Sequence, residues 1–124
     1  MRWLMDYENR IVRLTEERLV HIRQHPEMEN MVHAIGEALA SPAFVRQSCS
    51  DTQTNLYYRH YEQTFVGPKW LCVVIKATGN DCFVLTAYLT DKPKEGIRWT
   101  PLSRQIFHGF IVTQTPSIQG NYSK

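Results

Sequence analysis

The sequence predicts an α+β fold in which two N-terminal helices are followed by a four-stranded antiparallel sheet. Two observations point that way. Between Thr15 and Ala40, apolar residues recur three and four positions apart, the period of a helix packed on one side. After Pro42 the chain turns to short alternating runs rich in Val, Ile, Tyr, Phe and Thr, broken by Gly-Pro and Thr-Gly-Asn-Asp. Helices first and strands afterwards give an α+β order, not an alternating one.

The elements follow in order. Residues 1–9 carry no clear signal, and "RIVRL" (10–14) alternates as a short edge strand does. Thr15 is a good N-cap, with Glu16 and Glu17 in the first turn where the helix dipole favours them. That helix runs to about Gln24, because Pro26 disfavours helical geometry at His25. Pro26 also suits the first turn of a second helix, whose apolar stripe is Met28, Met31, Val32, Ile35, Ala38 and Leu39. "SP" at 41–42 closes it. "FVRQS", "NLYYRHYEQ", "KWLCVVIKA" and "CFVLTAYLT" then read as strands, the last two joined by a "TGND" hairpin turn. "IRW" begins another short strand. The expected division is one domain over 1–99 and an extension over 100–124, with one extra strand in "IFHGFIVTQT" and a mobile tail in "PSIQGNYSK".

Composition narrows the classes. The chain has 124 residues, 43% hydrophobic and 21% charged, which suits one domain with its own core. Three cysteines, Cys49, Cys72 and Cys82, form no CxxC and predict reduced thiols instead of a disulfide framework or zinc knuckle. No apolar run is long enough for a signal peptide or a bilayer span, so a soluble cytoplasmic protein is expected. A net charge of +2 is too small for nucleic-acid binding by bulk charge, but leaves room for a local basic site.

Period-two alternation sorts the strands by face. Leu71, Val73 and Ile75, with Phe83, Leu85, Ala87 and Leu89, and with Leu56, Tyr58 and His60, make the expected core face. The other face carries Tyr57, Arg59 and Tyr61, then Trp70, Cys72, Val74 and Lys76, then Val84, Thr86, Tyr88 and Thr90. Cations, hydroxyls and rings interleaved in this way suit a phosphate with a base stacked beside it. An ordinary solvated sheet face fits the same pattern.

His21 and His25 lie four apart. A zinc-protease helix would carry His-Glu-x-x-His, but here Ile22 replaces the glutamate, Arg23 would repel a cation, and no third ligand stands at familiar spacing. No metal and no cofactor is expected. His25 beside Pro26 also fits a helix terminus, and His33, His60 and His108 sit in no motif. Metal-free RNA cleavage has matching needs: a base for the 2′-hydroxyl, an acid for the leaving 5′-oxygen, and cations on the phosphate. Histidine titrates in the range required for either proton role.

The ordered segments "RLTEERLVHIRQHPEM", "IGEALASPAFV", "LYYRHY", "KWLCVVIK" and "FVLTAYLTDKPKEGIRW" resemble a phage and bacterial nuclease family. It is the group sharing the fold of barnase, EndoU, the anticodon-cleaving colicins and RelE-like toxins. The likeness covers about residues 11–99. It implies a metal-independent, toxin-like endoribonuclease that cleaves RNA by 2′-hydroxyl transesterification to a 2′,3′-cyclic phosphate. An antitoxin or immunity protein is implied as its partner. By position, the resemblance makes His21 the general base or acid, Arg59 and Lys76 the phosphate cations, and Thr86 a positioning hydroxyl. His25, Tyr57, Tyr61 and Tyr88 are expected to bind the substrate. The alternative is a non-catalytic RNA- or protein-binding module on the same fold, and a third reading is a metal-dependent hydrolase built on His21 and His25.

Overall fold

A computed structural model describes residues 1–94 and the backbone of 97–99. The chain begins with a strand, β1 (Arg2–Met5), which pairs antiparallel with β2 (Ile11–Leu14). The turn between them is held by Asn9 N–H to the Asp6 carbonyl (2.9 Å) and Asp6 N–H to the Arg10 carbonyl (3.0 Å). Asn9 sits at φ 65°, a left-handed conformation that asparagine tolerates better than most residues. Helix α1 (Glu16–Arg23) starts where expected: the Thr15 hydroxyl accepts from the Arg18 N–H at 3.2 Å.

The second helix is shorter than its apolar spacing suggests. Pro26–Met28 forms a 3-10 turn, with Met28 N–H on the His25 carbonyl (2.9 Å), and Met31 N–H then reaches the Met28 carbonyl (3.0 Å). Only at Val32 does α2 (Val32–Ala40) begin. A three-residue step satisfies a 3-10 turn as well as an α-helix, so the burial of Met28 and Met31 did not require a continuous helix.

Four strands follow as expected: β3 (Phe44–Gln47), β4 (Thr54–Tyr61), β5 (Lys69–Thr78) and β6 (Asp81–Thr90), with β7 (Ile97–Trp99) after them. The sheet order is β1-β2-β6-β5-β4-β3-β7. This corrects the expected architecture. Among the described residues the sheet is mixed and has seven strands, not four antiparallel ones, and two of its strands precede the helices. β2 lies parallel to β6 at Arg13 and Phe83, while the other neighbouring pairs are antiparallel. The reason lies in the first fourteen residues. β1 is only four residues long and gives little periodicity to read, and its pairing converts β2 from the expected edge strand into an inner one.

Helices α1 and α2 pack on one side of the sheet. Leu19, Ile22, Met28, Ile35, Ala38 and Leu39 meet Val12, Leu14, Val45, Tyr57, Leu71, Val73, Ile75, Val84 and Ala87 in one buried cluster. On the sheet's other side a smaller cluster holds Phe44, Leu56, Tyr58, Cys72 and Val74, with Trp70, Leu85 and Tyr88 against it. No described helix covers that side, which is called the open face below. Residues 91–94 leave β6 and pass over it: Lys94 N–H donates to the Tyr58 hydroxyl at 2.9 Å, and Arg46 Nη1 donates to the Lys94 carbonyl. The expected extension over 100–124 lies outside the described residues. No described helix is long and apolar enough to cross a membrane.

Candidate functional site

The structure divides the expected site residues between the two sides of the sheet. His21 is exposed on α1, whose buried residues are Leu19 and Ile22. α1 ends at Arg23, and His25 caps the following 3-10 turn with extended backbone (φ −91°, ψ 113°). The two histidines are therefore not stacked on one helix face, and both belong to the helical layer. Among the described residues no three His, Cys, Asp or Glu side chains gather as metal ligands.

Tyr57, Arg59 and Tyr61 also face the helices. This reverses their expected placement, because β4 pairs Tyr57 with Val73, a core residue, and Tyr58 with Cys72. Tyr57 is fully buried; its hydroxyl donates to Asp6 Oδ2 (2.8 Å) and accepts from Arg10 Nη2 (2.8 Å). Burial and the neighbouring Asp6 carboxylate push that phenol well above its usual range. Arg59 Nη1 donates to the Ser41 carbonyl at 2.6 Å, just past α2. The Tyr61 hydroxyl donates to Glu37 Oε1 (2.7 Å), and burial together with Glu37 pushes it up to about 12. These side chains tie the strand to the helical layer and the first turn.

Lys76, Thr86 and Tyr88 lie on the open face, as expected. Lys76 is engaged there: its Nζ meets Asp51 Oδ2 at 2.8 Å. That contact, with the Gln53 N–H and the Thr54 hydroxyl, holds the Asp51 carboxyl down at about 2. The expected members of the β6 face are partly exchanged. Val74 pairs with Thr86 but Ile75 pairs with Val84, so Leu85 is an extra residue and a bulge switches the alternation. Cys82 and Val84 consequently join Ala87 in the helix-side core.

What the open face does assemble is a row of rings and cations. Arg46 lies 4.8 Å above the Phe44 ring centroid and 5.9 Å from that of Tyr58. Phe44 stacks on Tyr58 at 5.2 Å and meets Trp70 at 5.4 Å, and Trp70 meets His60 at 5.0 Å. Next to Tyr58, across Cys72, stands Tyr88 with Lys94 Nζ 6.0 Å over its ring. The Tyr88 hydroxyl is enclosed beside Cys72 and Tyr58, and burial pushes its proton affinity up. Burial likewise pushes up the Cys72 thiol. His60, Trp70 and Lys94 keep part of their surface open to solvent.

Strand alternation puts Trp70 and Tyr88 on this face, but it assigns Tyr58 and His60 to the core face, a placement the pairing reverses, and it does not bring in Phe44, Arg46 or Lys94. The legible signal was the Phe44-x-Arg46 alternation in "FVRQS", which puts a ring and a cation on the same side of a strand. No protein-family model, curated protein or solved structure matches this chain. The class of protein that fold and site define is thus a two-layer α+β domain with an aromatic and cationic open sheet face.

Proposed function

We propose that the chain binds single-stranded RNA on the open sheet face without cleaving it. One observation carries the reading: Arg46, Phe44, Tyr58, Trp70, His60, Tyr88 and Lys94 form adjoining ring–ring and cation–ring contacts along one side of the sheet. Single strands are held by this combination. Bases stack on rings with little regard to sequence, and cations beside the rings take the phosphates; Trp70, His60 and Tyr88 reach solvent to receive bases, over the buried Phe44 and Tyr58. The small net charge fits a short, local contact.

A ribonuclease reading rests on the motif resemblance and needs a proton carrier beside the bound phosphate. His21 and Arg59 are on the other side of the sheet, while His60, against Trp70, is the described histidine on this one. One experiment separates the two readings. A labelled single-stranded RNA is titrated with protein in excess EDTA while anisotropy is recorded, and the same samples are run on a gel. Binding should occur with the RNA intact. Trp70→Ala or Arg46→Ala should weaken it roughly tenfold or more, since stacking contributes about 1–3 kcal/mol per base. His21→Ala and Arg59→Ala should bind as the wild type does. EDTA-resistant cleavage abolished in His60→Ala would replace this reading with the catalytic one. Absence of both binding and cleavage would reject both.

A further inference from the structure

Among the described residues, the first strand has an unpaired edge and an uncovered apolar surface. β1 pairs with β2 on one side and, among the described residues, with nothing on the other. Leu4 points to the helices, packing beside Gly36 of α2 against the helix-side cluster. Trp3 and Met5 therefore point to the open face, and they are 63% and 51% exposed, beside Ile11 at 57%. Trp3, Leu4, Met5 and Ile11 line a shallow hollow of about 420 Å³. An unpaired strand edge lined by large apolar side chains is a template for another strand.

We infer that this edge pairs with the same edge of a second copy, forming a two-fold dimer with one continuous sheet. The pattern of the strand selects that occupant. An isologous interface must be self-complementary, so residue i meets j and j meets i. Met1-x-Trp3-x-Met5 is symmetric about Trp3. An antiparallel pairing centred on Trp3 sets Trp3 against Trp3, Met1 against Met5 and Arg2 against Leu4. It joins three apolar pairs into one strip on the open face, and the methionines opposite the hollow fill it. Charge also permits it. Arg2 faces leucine instead of its own copy, the Met1 ammonium is engaged with Glu16 at 3.2 Å, and Arg13 is engaged with Asp81 at 2.7 Å. The contact is short and falls among small interfaces, so the dimer is concentration-dependent.

Sedimentation equilibrium of the full chain tests this. The weight-average mass should rise toward twice the monomer between about 1 and 200 µM, the range expected of a small interface. Trp3→Lys, and independently Met5→Lys, should hold the mass at the monomer with unchanged circular dichroism. Register is tested in a Cys49→Ser background, which removes the exposed cysteine. Trp3→Cys should form a disulfide-linked dimer under mild oxidation, because residues on the two-fold face each other within disulfide reach. Arg2→Cys should not, since its two copies are offset by two residues each way. A wild type that stays monomeric at the highest concentration overturns the inference. So does a dimer that survives both lysine variants, or one that cross-links through Arg2→Cys as readily as through Trp3→Cys.

Discussion

Replacing Tyr57 with phenylalanine removes one oxygen from a buried network and keeps the ring. That oxygen donates to Asp6 Oδ2 and accepts from Arg10 Nη2, each at 2.8 Å. Asp6 also accepts from the Glu8 and Arg10 N–H groups and from Arg10 Nε, at 2.9–3.0 Å. The carboxylate side chain is wholly buried. Losing one hydrogen bond to a charged, buried acceptor costs about 2 kcal/mol. For a chain of this size that corresponds to a melting temperature lower by roughly 8 °C. Urea or thermal unfolding followed by circular dichroism measures it. A cycle with Asp6→Asn should return a coupling of about 1–2 kcal/mol, because the two groups act through one contact. The variant should bind RNA as the wild type does, since Tyr57 faces the helices. A loss below about 0.5 kcal/mol would refute the assigned network, and a loss of RNA binding in a folded variant would refute the assigned face.

Further outcomes follow from other contacts. Tyr57 has a folded proton affinity raised above its unfolded value of about 10. Its contribution is fully present below that pH and is lost as pH rises, so the alkaline fall in stability should be shallower in Tyr57→Phe. Asp51 has the opposite sign: its carboxyl is depressed to about 2, so its contribution is present above the unfolded value near 3.8 and lost as pH falls toward 2. Lys76→Met should move the Asp51 midpoint back up in a carboxyl NMR titration. Thr15→Ala should destabilise by about 1 kcal/mol through loss of the cap on the Arg18 N–H.

Local elements were legible because their signals are local. Thr15 caps, Pro26 terminates, and the strands from Phe44 to Thr90 fall where alternation and turn residues put them. Facing was not legible, because it depends on partners. Tyr57 and Tyr58 are equally good strand residues, and the pairing of Tyr57 with Val73 decides which one meets the helices. The bulge at Leu85 is set by the unequal step between Val74–Thr86 and Ile75–Val84, which no sequence period reports. Both sides of the sheet carry apolar residues, so a division into core face and polar face could not succeed. The expected constellation failed to gather for the same reason: Arg59 moved with Tyr57, while Lys76, Thr86 and Tyr88 stayed behind.

The open face makes a last prediction through its cysteine. Cys72 sits between Tyr58 and Tyr88 in the register of three adjacent strands and is fully buried, although no described helix covers it. Its cover includes the passage of residues 91–94, held where Lys94 N–H meets Tyr58 and Arg46 meets the Lys94 carbonyl. Burial also pushes the thiol's proton affinity up, which lowers the reactive thiolate fraction. Cys82 is buried on the helix side and Cys49 is exposed. Alkylation of the native protein read by peptide mass spectrometry should therefore label Cys49 fast, and Cys72 and Cys82 slowly. Arg46→Ala removes the tie on the Lys94 carbonyl and should speed labelling at Cys72 while leaving Cys82 unchanged. That selectivity distinguishes a local opening of the face from general destabilisation, which would raise both rates together. Labelling of Cys72 as fast as Cys49 in the wild type would mean that the passage does not close over the rings. RNA binding should slow Cys72 labelling in Arg46→Ala if bases lie on the same rings, and a rate indifferent to saturating RNA would place the RNA elsewhere.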